Sequence, residues 1–160
     1  MSSEVVQCGN LKFRRLYTRE QIDAKVDKIA SEIDQEFQSI LQHDPKARFL
    51  VIGVLNGAFM FTSEIVKRLK TPVLIEFIKI RSYKGEESGQ ISIDYNLDYS
   101  LFKGTHVVVL DDICDSGKTL AQLAHIFKGK EAKSVKIGVL VIRPDKIHEV
   151  KPDFSGLTCS

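Results

Sequence analysis

The chain has 160 residues, 43% of them hydrophobic and 28% charged, with a formal net charge of +2. That length supports one globular domain with a sizeable core, and a charge so near neutrality argues against a protein that coats nucleic acid. The polar start Met1-Ser2-Ser3-Glu4 is not that of a signal peptide, and no apolar run approaches the ~20 residues of a membrane span. Cys8, Cys114 and Cys159 lie far apart with no C-x-x-C pair, which fits reduced thiols in a cytoplasmic protein. The histidines, His43, His106, His125 and His148, lack the spacing of a zinc site.

In chain order, Thr18 and Gln21 form a capping box ahead of Ile22, Val26, Ile29, Ile33, Phe37 and Ile40, an apolar stripe at helical spacing. Asp44-Pro45 ends that helix. The run 49–54 reads as a strand buried on both faces. It passes through Leu55, Asn56 and Gly57 into a helix marked by Phe59, Phe61, Ile65, Val66 and Leu69. A third strand covers 73–80. Arg81, Ser82 and Tyr83 follow, then the anchor-free stretch 84–90, read as a mobile loop. Residues 91–95 alternate and return as an edge strand, and 134–142 form another buried strand with Arg143 at its carboxyl end.

The richest stretch is 107–120. Val107 to Leu110 is a buried strand. Asp111 and Asp112 are placed where it ends, and Asp115, Ser116, Gly117, Lys118 and Thr119 follow before Leu120, Leu123, Ala124 and Phe127 resume a helical period. A strand, a polar turn and a helix start present free backbone N–H groups and a positive dipole end, a setting that suits phosphate. Three carboxylates within five residues repel one another unless a cation or ligand hydroxyls offset them. A Walker A loop is excluded, because the position five residues before Gly117 holds Asp112 rather than glycine.

This stretch resembles the phosphoribosyl-pyrophosphate loop of the type I phosphoribosyltransferases: a hydrophobic strand, two acids and a short loop ending in Ser-Gly-x-Thr. The placement of Asp115 is most similar to the purine-salvage branch, the hypoxanthine-guanine phosphoribosyltransferases. The resemblance implies an α/β fold, a mainly parallel twisted sheet with helices on both faces, and transfer of a 5-phosphoribosyl group from phosphoribosyl pyrophosphate to hypoxanthine or guanine. It implies Asp115 as catalytic acid/base, with Asp111 and Asp112 on the ribose hydroxyls and a Mg²⁺ cofactor. Ser116, Gly117, Lys118 and Thr119 would cradle the 5′-phosphate. Leu55, Asn56 and Gly57 would form the pyrophosphate turn, though many relatives carry Lys or Arg where Asn56 stands.

Ser82 and Tyr83 are similar to the start of a lid over the reacting sugar, and Arg143 takes the place of a donor to the 6-oxopurine oxygen. Expected partners are phosphoribosyl pyrophosphate and 6-oxopurine bases, with no nucleic acid and no membrane, in a cytoplasmic homo-oligomer, dimer or tetramer. Relatives run on past the position of Ser160 through a purine-stacking aromatic, so the expectation for 1–160 is a single domain without its C-terminal purine-binding segment. The same fold also serves regulators that bind phosphoribosyl pyrophosphate without catalysis. That alternative lacks a basic patch with interleaved aromatics to support it.

Overall fold

A computed structural model of the chain describes residues 5–82, 91–93, 97–146 and 149–159. A small antiparallel hairpin comes first, β1 (Val5–Cys8) paired with β2 (Leu11–Arg14). Thr18 then caps α1 (Arg19–His43): its hydroxyl accepts from the Gln21 N–H at 3.2 Å, and the Gln21 side chain accepts from the Thr18 N–H at 2.8 Å. The reciprocal bonds satisfy two groups that a helix start otherwise leaves open. Downstream, Val26, Ile29, Ala30, Ile33 and Phe37 are buried, the stripe that the spacing predicts.

Five further elements follow the same logic of long apolar strands and amphipathic helices: β3 (Arg48–Leu55), α2 (Phe59–Arg68), β4 (Leu74–Ser82), β5 (Ile91–Ile93) and β6 (Thr105–Cys114). After them come α3 (Lys118–Gly129), β7 (Ser134–Ile142) and β8 (Phe154–Thr158). The six strands β3 to β8 form one sheet in the order β5-β4-β3-β6-β7-β8. Every neighbouring pair is parallel except β4 and β5. Strands β3 and β6 are buried on both faces, which is why they read as unbroken apolar runs. Alternate residues feed two cores. Leu50, Ile52, Val107 and Val109 pack with Leu120, Leu123 and Phe127 of α3. Phe49, Val51, Val108 and Leu110 pack with Ile29, Ile33 and Phe37 of α1 and Phe61 and Ile65 of α2. The expected α/β sheet with helices on both faces is what the chain forms.

Two details depart from the sequence reading. Strand β6 does not stop at Leu110. Strand β7 extends alongside and pairs Asp111 with Val139, Ile113 with Val141 and Cys114 with Ile142, so both acids sit within the last turn of the ladder. The hairpin of β1 and β2 and the short edge strand β8 are strands that the sequence marks only with weak periodic signals.

Candidate active site

From β3 the chain turns towards β4, and from the adjacent β6 it turns the other way towards β7. The connections therefore diverge between β3 and β6, and a crevice opens at the carboxyl ends of these two strands, where open parallel sheets bind ligands. The turn after β3 and the loop after β6 flank that crevice. The first includes a cis peptide bond between Leu55 and Asn56. Gly57 of this turn faces Asp112 across the crevice so closely that an added Cβ would lie 2.5 Å from Asp112 Oδ2.

Beyond Cys114, residues 115–117 make the phosphate-type loop. Gly117 is the N-cap of α3 with φ +84, a left-handed conformation that only glycine adopts without strain. The Ser116 hydroxyl accepts from the Lys118 N–H at 3.4 Å. No acidic residue occupies the first turn of α3, so its positive end is left for a ligand anion. Asp111 and residues 113–120 line a cavity of about 140 Å³ at this point.

The acids behave unequally. The Asp112 N–H donates to Asp111 Oδ1 at 3.0 Å, and the Ile113 N–H donates to Asp112 Oδ1 at 2.9 Å. Burial first, and then the neighbouring Asp112 charge, push the Asp111 carboxyl up to about 7. A carboxylate so disfavoured in the free protein welcomes a cation or ligand hydroxyls. Two adjacent carboxylates suit Mg²⁺, which binds through one or two protein oxygens and completes its shell with water and substrate phosphates. Among the described residues no cluster of three or more His, Cys, Asp or Glu forms an all-protein metal cage. Cys114 is buried, and burial raises its thiol further out of the reactive range.

Asp115 is half-exposed and pairs with the Arg143 guanidinium at 3.4 Å and the Lys146 ammonium at 3.8 Å. The structure thus gathers Asp111, Asp112, Asp115, Ser116, Gly117, Lys118 and Thr119 with Leu55, Asn56 and Gly57 at one sheet edge, and it brings Arg143 to Asp115. Ser82 ends β4 on the same edge. Tyr83 and the lid stretch 84–90 lie outside the described residues. Sequence reading passed over Lys146 and the segment around it, because an irregular connection leaves no periodic signal.

A family model described as a phosphoribosyl transferase domain matches residues 14–160. The hypoxanthine-guanine phosphoribosyltransferase of Bacillus subtilis is 33% identical over 144 residues, which is 88% of this chain and 76% of that protein. A crystal structure of a hypoxanthine-guanine phosphoribosyltransferase from Bacillus anthracis superposes with a TM-score of 0.79 at 28% identity, over 91% of this chain and 82% of the other. The hypoxanthine phosphoribosyltransferase of Trypanosoma cruzi, in a ternary complex with substrates, gives a TM-score of 0.80 at 26% identity over 98% of this chain and 82% of that one.

Proposed function

The chain belongs to the phosphoribosyltransferase family, and on that premise we propose that it transfers 5-phosphoribosyl from phosphoribosyl pyrophosphate to hypoxanthine or guanine, forming IMP or GMP and releasing pyrophosphate. The observation that carries this reading is the convergence of two strand-end turns at the β3–β6 crevice, one offering helix-start amides beside a cavity and the other pressed against Asp112.

In the reaction a ring nitrogen of the purine bonds to C1′ as the C1′–O bond to pyrophosphate breaks, and the bonding pair leaves with the pyrophosphate. Residues 116–119 hold the 5′-phosphate through backbone N–H groups, fixing the sugar at the sheet edge. Asp111 and Asp112 would hold the ribose hydroxyls and Mg²⁺, which when bound would offset the charge of the leaving pyrophosphate. Asp115, held beside Arg143 and Lys146, accepts the proton that the imidazole ring gives up. Amides of the 55–57 turn face the pyrophosphate. Arg143 is then the donor to the base oxygen, while Tyr83, expected with Ser82 at the start of a lid, lies outside the described residues.

Residues 1–160 form one domain in this reading. None of Cys8, Cys114 and Cys159 is in a disulfide, which fits a cytoplasmic setting. Exposed Phe59 and Met60 on α2, beside Ile75 and Phe77 on β4, supply the apolar face for a homo-oligomer. Among the described residues no helix is long and apolar enough to cross a membrane. The test is direct: incubate the chain with phosphoribosyl pyrophosphate, Mg²⁺ and each of hypoxanthine, guanine, adenine and orotate, and separate the products by chromatography. IMP or GMP is expected. A chain that makes no nucleotide from either 6-oxopurine is not this enzyme.

A further inference from the structure

Four described residues between β7 and β8, Arg143, Lys146, Glu149 and Val150, lie against the phosphate-type loop. The Arg143 N–H donates to the Cys114 carbonyl at 3.1 Å. The Arg143 and Lys146 side chains both reach Asp115 Oδ1. The Glu149 N–H donates to the Ser116 carbonyl at 3.2 Å. Val150 covers Gly117, where an added Cβ would meet its Cγ1 at 2.8 Å. Each of residues 114–117 therefore has its own partner on this one segment.

These contacts have a consequence for the cradle. In a planar trans peptide the carbonyl and the following N–H point in opposite directions. With the Cys114 and Ser116 carbonyls turned to the connection, the N–H groups of Asp115 and Gly117 are turned away from it. For Asp115, that direction is the β3 side, since the Cys114 carbonyl continues the ladder to β7. Anion binding by a loop depends on which way its amides face before the ligand arrives.

We propose that Arg143, Lys146, Glu149 and Val150, between β7 and β8, form the positioning strap of the phosphate loop, with Glu149 and Val150 setting the amides and Lys146 with Arg143 setting the Asp115 carboxylate. This rests on the function proposed above. Lys146 is a positioning residue here: it acts through Asp115, whose two cationic partners hold it in one place.

The experiment compares Glu149→Pro, which deletes the donor to Ser116, with Glu149→Ala, which keeps it, and Lys146→Ala with Lys146→Arg. Calorimetry with phosphoribosyl pyrophosphate and Mg²⁺ should give binding weakened by ~tenfold or more for Glu149→Pro and within about twofold of the parent for Glu149→Ala. Lys146→Ala should lower kcat by ~tenfold with the KM for phosphoribosyl pyrophosphate within about twofold, and Lys146→Arg should restore most of it. Equal binding by the two Glu149 variants overturns the strap. A raised KM with kcat intact in Lys146→Ala makes Lys146 a ligand contact instead, and overturns its positioning role.

If the parent chain neither binds phosphoribosyl pyrophosphate nor makes nucleotide, the proposed function fails on its own. The strap is then decided by NMR of the free protein. The Asp115 and Gly117 amide resonances must move in Glu149→Pro and stay in Glu149→Ala, and an unmoved pair refutes it. Should Glu149→Pro not fold, the exposed Lys146 pair decides alone, by kinetics and by the three-bond couplings that report whether Asp115 keeps a single χ1 rotamer.

Discussion

Gly57 and Asp112 belong to different strand–turn units, yet a methyl group on Gly57 would lie 2.5 Å from Asp112 Oδ2, 2.8 Å from its Cγ and 2.9 Å from Oδ1. Gly57 does not need its freedom of φ, since it is absent from the positive-φ glycines. It is required by the space that the carboxylate fills. Gly57→Ala should therefore push the Asp112 side chain aside while leaving the backbone in place. Because the obstructing atoms are the end of a side chain, the stability loss should stay under ~1 kcal/mol. The ligand affinity should fall more, by ~tenfold for phosphoribosyl pyrophosphate with Mg²⁺. Calorimetry beside urea unfolding separates the two, and a large stability loss with unchanged affinity would show that the contact serves packing.

Gly117 is constrained for a different reason. Its φ of +84 at the start of α3 strains any side chain, and Val150 closes the space as well. Gly117→Ala should lower stability by about 1–3 kcal/mol and weaken phosphoribosyl pyrophosphate binding together, since the same backbone turn starts the helix and shapes the cradle. An unchanged urea midpoint would mean that the turn relaxes without penalty, and would remove glycine's special role at this position.

Much of this architecture is legible because burial on both faces leaves a plain mark. Strands β3 and β6 appear as apolar runs, and α1 shows both its capping box and its stripe. The site was legible where local chemistry is dense, as in residues 111–119. Contacts between distant segments leave no such mark. Nothing local to Gly57 announces that Asp112 fills the space beside it, and nothing in the irregular connection after β7 announces that Lys146 and Glu149 brace the loop. The end of β6 lies beyond the acidic pair for a related reason. An acidic pair reads as the end of a strand, but backbone pairing with β7 is indifferent to side-chain charge and continues to Cys114.

The apolar face at α2 and β4 makes a prediction about assembly. Met60 is 68% exposed and Phe59 51%, and the Phe59 and Phe77 rings lie 5.7 Å apart with Ile75 on the same side of β4. Contiguous exposed apolar side chains of this kind mark an interface. Met60→Glu should shift the chain towards monomer in light scattering without lowering its thermal midpoint at low concentration, because Met60 contributes nothing to either core. A parent chain that is monomeric, or an oligomer indifferent to Met60→Glu, would place the interface elsewhere.

Asp111 makes stability depend on pH. Its ordinary value is 3.8, and in the folded protein burial and Asp112 hold it at about 7. Between those two values the folded chain keeps a proton that the unfolded chain has released. Stability from this group therefore declines as pH rises from about 4 to about 7, and above that range the folded state carries two charged neighbours. Asp111→Asn removes the titration and the repulsion while preserving size. At about pH 3 the variant and parent should be alike, since the parent carboxyl is then neutral in both the folded and the unfolded chain. At about pH 8 the variant should be more stable by on the order of 1–3 kcal/mol. Mg²⁺ with phosphoribosyl pyrophosphate should reverse the order by stabilising the parent and not the variant, because a bound cation and hydroxyls need the charge that Asn lacks. Urea titrations at the two pH values, with and without ligand, measure all four stabilities. Equal differences between variant and parent at both pH values would show that Asp111 is not the titrating carboxyl.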